Sequence, residues 1–278
     1  MGFGVPEITP EGTWHVVEGR VKSAITIVLI HGVGLDHTMF DEQVQVLKVN
    51  YRVIRYDLLG HGHTPTLKKK ASLFDFRDQL LSLLDYLQIK KTFLVGFSLG
   101  GIIAQRFVAD YAHRLSGIVL INTFYRRTED ELAGVRARLR VTEKNGLEEI
   151  VDQAIERWFD TNFQAQRPDA VAKIRKILSN NDLRGYTDAY RVFAESDTHN
   201  DSALLGVDCP ALVITGSDDA GATPAIAQRM INDLGNARLI VLKGLRHMTT
   251  LEAPSLVNLA LEEFFVGLTP NGGALPGK

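Results

Sequence analysis

Apolar residues along this chain follow two rhythms, and the switch between them divides it. Ile25-Thr26-Ile27-Val28-Leu29-Ile30 is a continuous β-branched run and predicts a central strand. Phe93–Gly96, Gly117–Ile121, Pro210–Gly216 and Arg238–Leu242 are runs of the same kind. A helical pattern, Ile102–Val108, follows Phe93–Gly96 almost at once. Strand and helix patterns alternate through the first 123 residues and again after about Val207, which implies a mostly parallel sheet with helices on both faces. From about Phe124 to about Leu205 no β-rich run occurs. Instead Leu147, Ile150, Val151, Ala154, Ile155, Trp158 and Phe159 stand at helical spacing, and so do Val171, Ile174, Ile177 and Leu178, then Leu183, Tyr186, Tyr190 and Phe193. The expected organisation is an α/β core from residues 1–123 and 206–278, with residues 124–205 as an inserted four-helix cap over the mouth of the site.

Composition narrows the classes. The chain has 278 residues, 45% hydrophobic and 23% charged, which is ordinary for a globular protein. A net charge of −2 argues against a nucleic-acid or anionic-membrane footprint, and Lys68-Lys69-Lys70 reads as a solvated loop. The single Cys209 excludes an intrachain disulfide; just before Pro210 at a strand start, it is expected to be a buried small residue. Neither paired cysteines nor an H-E-x-x-H spacing suggests a metal site. The first residues, Met1–Pro6, do not resemble a signal peptide, and the six-residue apolar run is too short to span a bilayer, so the cytoplasm is the expected compartment. The breaker-rich tail Thr269–Lys278 is expected to be poorly ordered.

The chemistry centres on Gly96-Phe97-Ser98-Leu99-Gly100, a G-x-S-x-G set between a strand and a helix. Such an abrupt turn strains its central residue and points that side chain outward, which makes Ser98 a candidate nucleophile. A serine hydroxyl needs a base and a group to orient the base. Of the histidines after Ser98, His113 ends a helix on a polar stretch and His199 lies in a turn-like run. His247 lies in a loop after a strand, where such a sheet carries its catalytic groups. The acid is expected one strand earlier, at Ser217-Asp218-Asp219, with Asp219 preferred over Asp218. Asn122 ends another strand, but a neutral amide cannot stabilise an imidazolium. For the oxyanion, the N–H of Leu99 supplies one donor and the turn His31–Gly34 the other, with Val33 preferred and Gly34 second. His31 is read as structural. Trp158, Phe159, Tyr186, Tyr190 and Phe193 are candidates to line an apolar pocket under the cap, and Trp158 and Tyr190 are singled out as substrate-binding.

These segments, in this order, resemble the α/β-hydrolase superfamily from about Trp14 to about Phe265. Tyr56-Asp57-Leu58-Leu59-Gly60-His61-Gly62-His63 resembles its strand-end D-x-R-G-H-G turn, with Leu59 in place of the usual Arg. Asp57, His61 and His63 are then scaffold residues, His63 nearest solvent. Val141–Leu147, Ile155–Phe159, Gly185-Tyr186, Ala222-Thr223-Pro224 and His247 with Glu252 are similar to the 3-oxoadipate enol-lactonase group. Esterases, C–C bond hydrolases, acyl-homoserine-lactone-degrading enzymes and cofactor-free haloperoxidases share that architecture. The resemblance implies a cofactor-independent serine hydrolase acting on a small-molecule ester or lactone, with a homo-oligomer possible. Its rivals are amide, C–C or perhydrolase chemistry on the same triad, or a ligand sensor that turns over slowly.

Overall fold

The computed structural model describes residues 4–20, 23 and 25–268; the tail Thr269–Lys278 and the first three residues lie outside them. Eight strands form one sheet: β1 (Pro6–Ile8), β2 (Trp14–Gly19), β3 (Thr26–Ile30), β4 (Arg52–Tyr56), β5 (Thr92–Phe97), β6 (Leu115–Ile121), β7 (Ala211–Gly216) and β8 (Ala237–Leu242), in the order β1-β2-β4-β3-β5-β6-β7-β8. The β1–β2 and β2–β4 pairings at one edge are antiparallel, and every other pairing is parallel. β3, β5 and β7 are buried at every position, so both faces of the sheet are covered. That is why these strands read as unbroken apolar runs rather than alternating ones.

The cover comes from α1 (Asp41–Leu47), α2 (Leu73–Tyr86), α3 (Leu99–Tyr111), α10 (Pro224–Asp233) and α12 (Pro254–Gly267), with α1 packed on α12 and α2 on α3. On the α12 side Phe93 meets Phe264 and Phe265 edge-on, and Phe265 meets Tyr51. Between β6 and β7 the chain is helical: α4 (Glu129–Asn145), α5 (Glu148–Trp158), α6 (Thr161–Gln166), α7 (Pro168–Ser179), α8 (Leu183–Glu195) and α9 (Asp197–Asn200). Two of the six, α6 and α9, are at most six residues long, too short for a 3.6-residue apolar period to appear in their sequences. His199, read as part of a turn, therefore lies in α9, and α11 (Thr249–Glu252) is another such short helix, directly after His247. α3 ends at Tyr111, so His113 sits beyond it in an exposed 3-10 turn. Cys209 is half-buried rather than buried, and burial pushes its thiol up to about 11. Among the described residues no helix is long and apolar enough to cross a membrane.

Candidate active site

β5 delivers Ser98 to the carboxyl edge of the sheet, and α3 starts at the next residue. Ser98 has φ 52° and ψ −115°, a region where any residue with a Cβ is strained. The surrounding structure holds it there. Its N–H donates to Ile121 O at 3.0 Å, and its carbonyl accepts from Thr123 Oγ1 at 2.6 Å and from the Gly101 N–H at 3.0 Å. Strand and helix close so tightly that a Cβ on Gly96 would lie 2.6 Å from Gly101 Cα, and one on Gly100 2.6 Å from the Ile30 carbonyl carbon. Ser98 lines a cavity of about 280 Å³ together with Asp219 and His247.

β7 and β8 place the other two. Asp219 follows β7 in a tight loop whose Gly221 and Ala222 N–H groups donate to its Oδ1 at 2.9 and 3.0 Å. Its Oδ2 accepts from His247 Nδ1 at 2.7 Å and from Asn122 Nδ2 at 2.9 Å. Burial alone would push this carboxyl up. The His247 charge and hydrogen bond, the Asn122 amide and the Gly221 N–H outweigh it and hold the group at about 2. Asp218 is exposed and accepts from the neighbouring Ser217 hydroxyl. The His247 ring is packed among Phe97, Trp158 and Phe124 at centroid distances of 5.0, 5.8 and 6.2 Å. With Nδ1 given to Asp219, its Nε2 is the nitrogen left for chemistry.

Asn122, set aside as an acid, belongs to this network. Directly after β6 it stands at φ 44° in the left-handed region, which Asn tolerates better than most residues. Its Oδ1 accepts from Thr249 Oγ1 at 2.5 Å while its Nδ2 steadies Asp219. A polar residue at a strand end beside a predicted catalytic strand was the available signal.

Among the described residues neither the Val33 N–H nor the Leu99 N–H has an acceptor, whereas the Gly34 N–H donates to His61 Nε2 at 2.9 Å. Gly34, the second choice, is thus engaged elsewhere. The His31 ring is wholly buried; its Nε2 accepts from the Leu58 N–H at 2.9 Å, so its proton lies on Nδ1, toward Gly32 O at 2.8 Å. Asp57 accepts from the N–H groups of His37 and His63, both at 2.9 Å, and His63 is exposed. These groups tie the turn after β3 to the turn after β4.

Helices α5 and α8 form the far side of the cavity. Trp158, Tyr186, Tyr190 and Phe193 line it, while Phe159 is fully buried and stacks on Phe163 at 5.4 Å. Arg138 and Arg157 also line it and were not singled out from the sequence. Each lies in a charge-rich helix, where only tertiary packing decides which arginine faces inward.

A strained serine at a strand-to-helix junction, beside a paired aspartate and histidine on the next strand ends, defines a class, and the model of the alpha/beta hydrolase family matches residues 27–260. The chain belongs to that family. It is 30% identical over 236 residues to the (E)-2-((N-methylformamido)methylene)succinate hydrolase of Acinetobacter baylyi, covering 85% of this chain and 88% of the relative. It is also 30% identical over 234 residues to 3-oxoadipate enol-lactonase 1 of the same organism, covering 84% and 85%. Among solved structures, the enol-lactonase from Burkholderia xenovorans superposes with a TM-score of 0.86 at 27% identity, over 94% of this chain and 99% of that one.

Proposed function

We propose that the protein is a cofactor-independent serine hydrolase that cleaves a small-molecule carboxylic ester or lactone through an acyl-enzyme on Ser98. The observation that carries this reading is the single cavity shared by a strained Ser98, His247 and an Asp219 bonded to His247 at 2.7 Å. In the proposed cycle His247 takes the Ser98 proton as Oγ attacks the carbonyl carbon. Asp219 fixes the Nδ1–H tautomer and stabilises the imidazolium. The N–H groups of Val33 and Leu99 hold the oxyanion, a contribution on the order of 10²–10³ in rate for each donor. His247 then protonates the departing oxygen and activates the water that releases the acid. Residues 124–205 act as a cap that sets substrate choice and supplies no member of the triad.

Hydrolysis of a panel of lactones, aryl esters and acyl-homoserine lactones by the purified protein tests the reading. A fluorophosphonate should label the peptide that contains Ser98. Labelling that persists in Ser98→Ala, or no turnover across the panel, overturns it. Amide hydrolysis on the same triad is the second reading, favoured by the relative whose name carries an N-methylformamido group. Faster turnover of N-formyl amides than of matched esters would select it.

A further inference from the structure

Among the described residues that line the cavity, three are exposed: Asp130 and Gly134 of α4, and Ala220 in the loop that carries Asp219. All the others are buried or half-buried. On the α8 side the wall is closed, with Tyr186, Tyr190 and Phe193 at most 7% exposed. The cavity therefore meets solvent between the first half of α4 and the loop after β7. Asp130, Glu131, Gly134, Val135 and Arg138 all line it, and their spacing of about one turn puts them on one face of α4. Gly134 stands at the centre of that face, at the lip of the mouth.

Nothing in the packing calls for glycine there. The backbone of Gly134 is helical, and a Cβ would meet only the Arg138 Nη1 at 3.4 Å, an ordinary contact with the tip of a flexible side chain. Gly60 and Gly185 differ, since a Cβ on either would press on the other's backbone at 2.6 and 2.5 Å. Glycine is the poorest helix former after proline, so Gly134 costs α4 stability. What it supplies in return is open space at the rim. The two lips are also joined. Glu131, in the first turn of α4, accepts from Arg229 Nη2 through both carboxylate oxygens at 2.9 and 2.6 Å. Arg229 belongs to α10, which starts at Pro224, just past Ala220. In a mouth framed this way the side chains at the rim set the width.

We propose that substrate enters between Gly134 and Ala220, and that Gly134 is a specificity-determining residue whose missing side chain admits bulky acyl chains. This rests on the serine-hydrolase reading for the choice of substrates but not for the port itself.

The test uses 4-nitrophenyl esters from acetate to octanoate. Gly134→Leu should lower kcat/KM for the longest ester about tenfold or more relative to acetate. Ala133→Leu, on an exposed position of the same helix that does not line the cavity, should leave the chain-length profile unchanged. Gly134→Ala should raise the melting temperature by about 2–4 °C, as the better helix former. Acrylamide quenching of Trp158 fluorescence, with Trp14→Phe removing the other indole, reads access without turnover. Gly134→Leu should lower the quenching constant and Ala133→Leu should not. Lower quenching without turnover of any ester upholds the port and sinks the hydrolase reading. An unchanged profile together with unchanged quenching in folded Gly134→Leu overturns the port and leaves ester hydrolysis standing. A melting temperature that falls in Gly134→Ala would show that packing requires the glycine, and that too overturns the proposal.

Discussion

At the scale of single residues the two adjacent aspartates pose the sharpest question. Asp219 is buried and takes four hydrogen bonds, whereas Asp218 is exposed and takes its bond from the next residue back. Asp219→Asn should keep the shape of the site but permit the wrong imidazole tautomer, a change that costs about 10⁴ in turnover in a serine-protease case. Asp218→Asn should change kcat by less than about threefold, as surface substitutions away from a site do. Steady-state kinetics of both variants decide it, and a larger loss in Asp218→Asn would reverse the assignment. Because the Asp219 carboxyl is held at about 2, it stays ionised across the working pH range. The Asp219 carboxylate should therefore add no ionisation of its own to the acid limb of kcat/KM above about pH 4. Much of this was legible in the sequence, since the strand–serine–helix junction and the order Ser, Asp, His are local and ordered signals. Asn122, Arg138 and Arg157 were not, because their parts depend on which neighbour faces them across the fold.

At the scale of elements, the loop that carries His247 is fastened to the end of α5. The Arg246 guanidinium donates to Glu156 O at 2.7 Å and Phe159 O at 3.0 Å, and the Met248 N–H donates to Trp158 O at 3.2 Å. These bonds satisfy carbonyls that a helix end leaves without intrahelical partners. In return, the half-buried Glu252 carboxylate accepts from the Asp160 N–H at 2.6 Å and the Arg246 N–H at 3.1 Å. Glu252→Gln can accept only one of these and turns an amide N–H₂ toward the other. Leaving one part-buried donor unpaired costs on the order of 1 kcal/mol, so the melting temperature should fall. The shift should also misplace His247 and lower kcat more than it raises KM. Trp158→Ala should do the reverse, since it removes cavity wall and with it binding common to ground and transition states. Kinetics and thermal melts on both variants check this, and an unchanged KM in folded Trp158→Ala would make that indole a packing residue only. The strands were readable from their apolar runs and the long cap helices from their period. The α6, α9 and α11 turns were not, and neither was this fastening, which is made largely by backbone groups that no side-chain pattern records.

At the scale of the whole molecule, acid should loosen the fold through histidines that have no part in the reaction. His15, His31 and His61 are buried, and burial pushes each below its ordinary value, His61 to about 3. The His61 ring cannot take a second proton without losing its contact to the Gly34 N–H, since Nδ1 already donates to Leu59 O at 3.0 Å and Nε2 accepts from Gly34. In the unfolded chain the same ring titrates near 6.5. Between those two values the unfolded state binds the proton and the native state does not, so stability falls as pH drops below about 6.5 and goes on falling toward about 3. Asp57 and Asp219 are held low and work in the same direction, but only below the ordinary carboxylate range. A comparison between about pH 7.5 and about pH 5 therefore leaves those two aspartates out, with Glu252, raised by burial, the carboxyl that works in the opposite direction near its acid end. Across that interval the neutral His61 ring should remove about 2 kcal/mol of stability. His61→Gln keeps an oxygen to accept from the Gly34 N–H but carries no titrating ring. Whatever its stability near neutrality, its loss on acidification should be smaller than that of the wild type by about 2 kcal/mol. Urea unfolding at the two pH values measures this directly, and equal losses in both proteins would mean that the His61 ring is already open to protons in the native state.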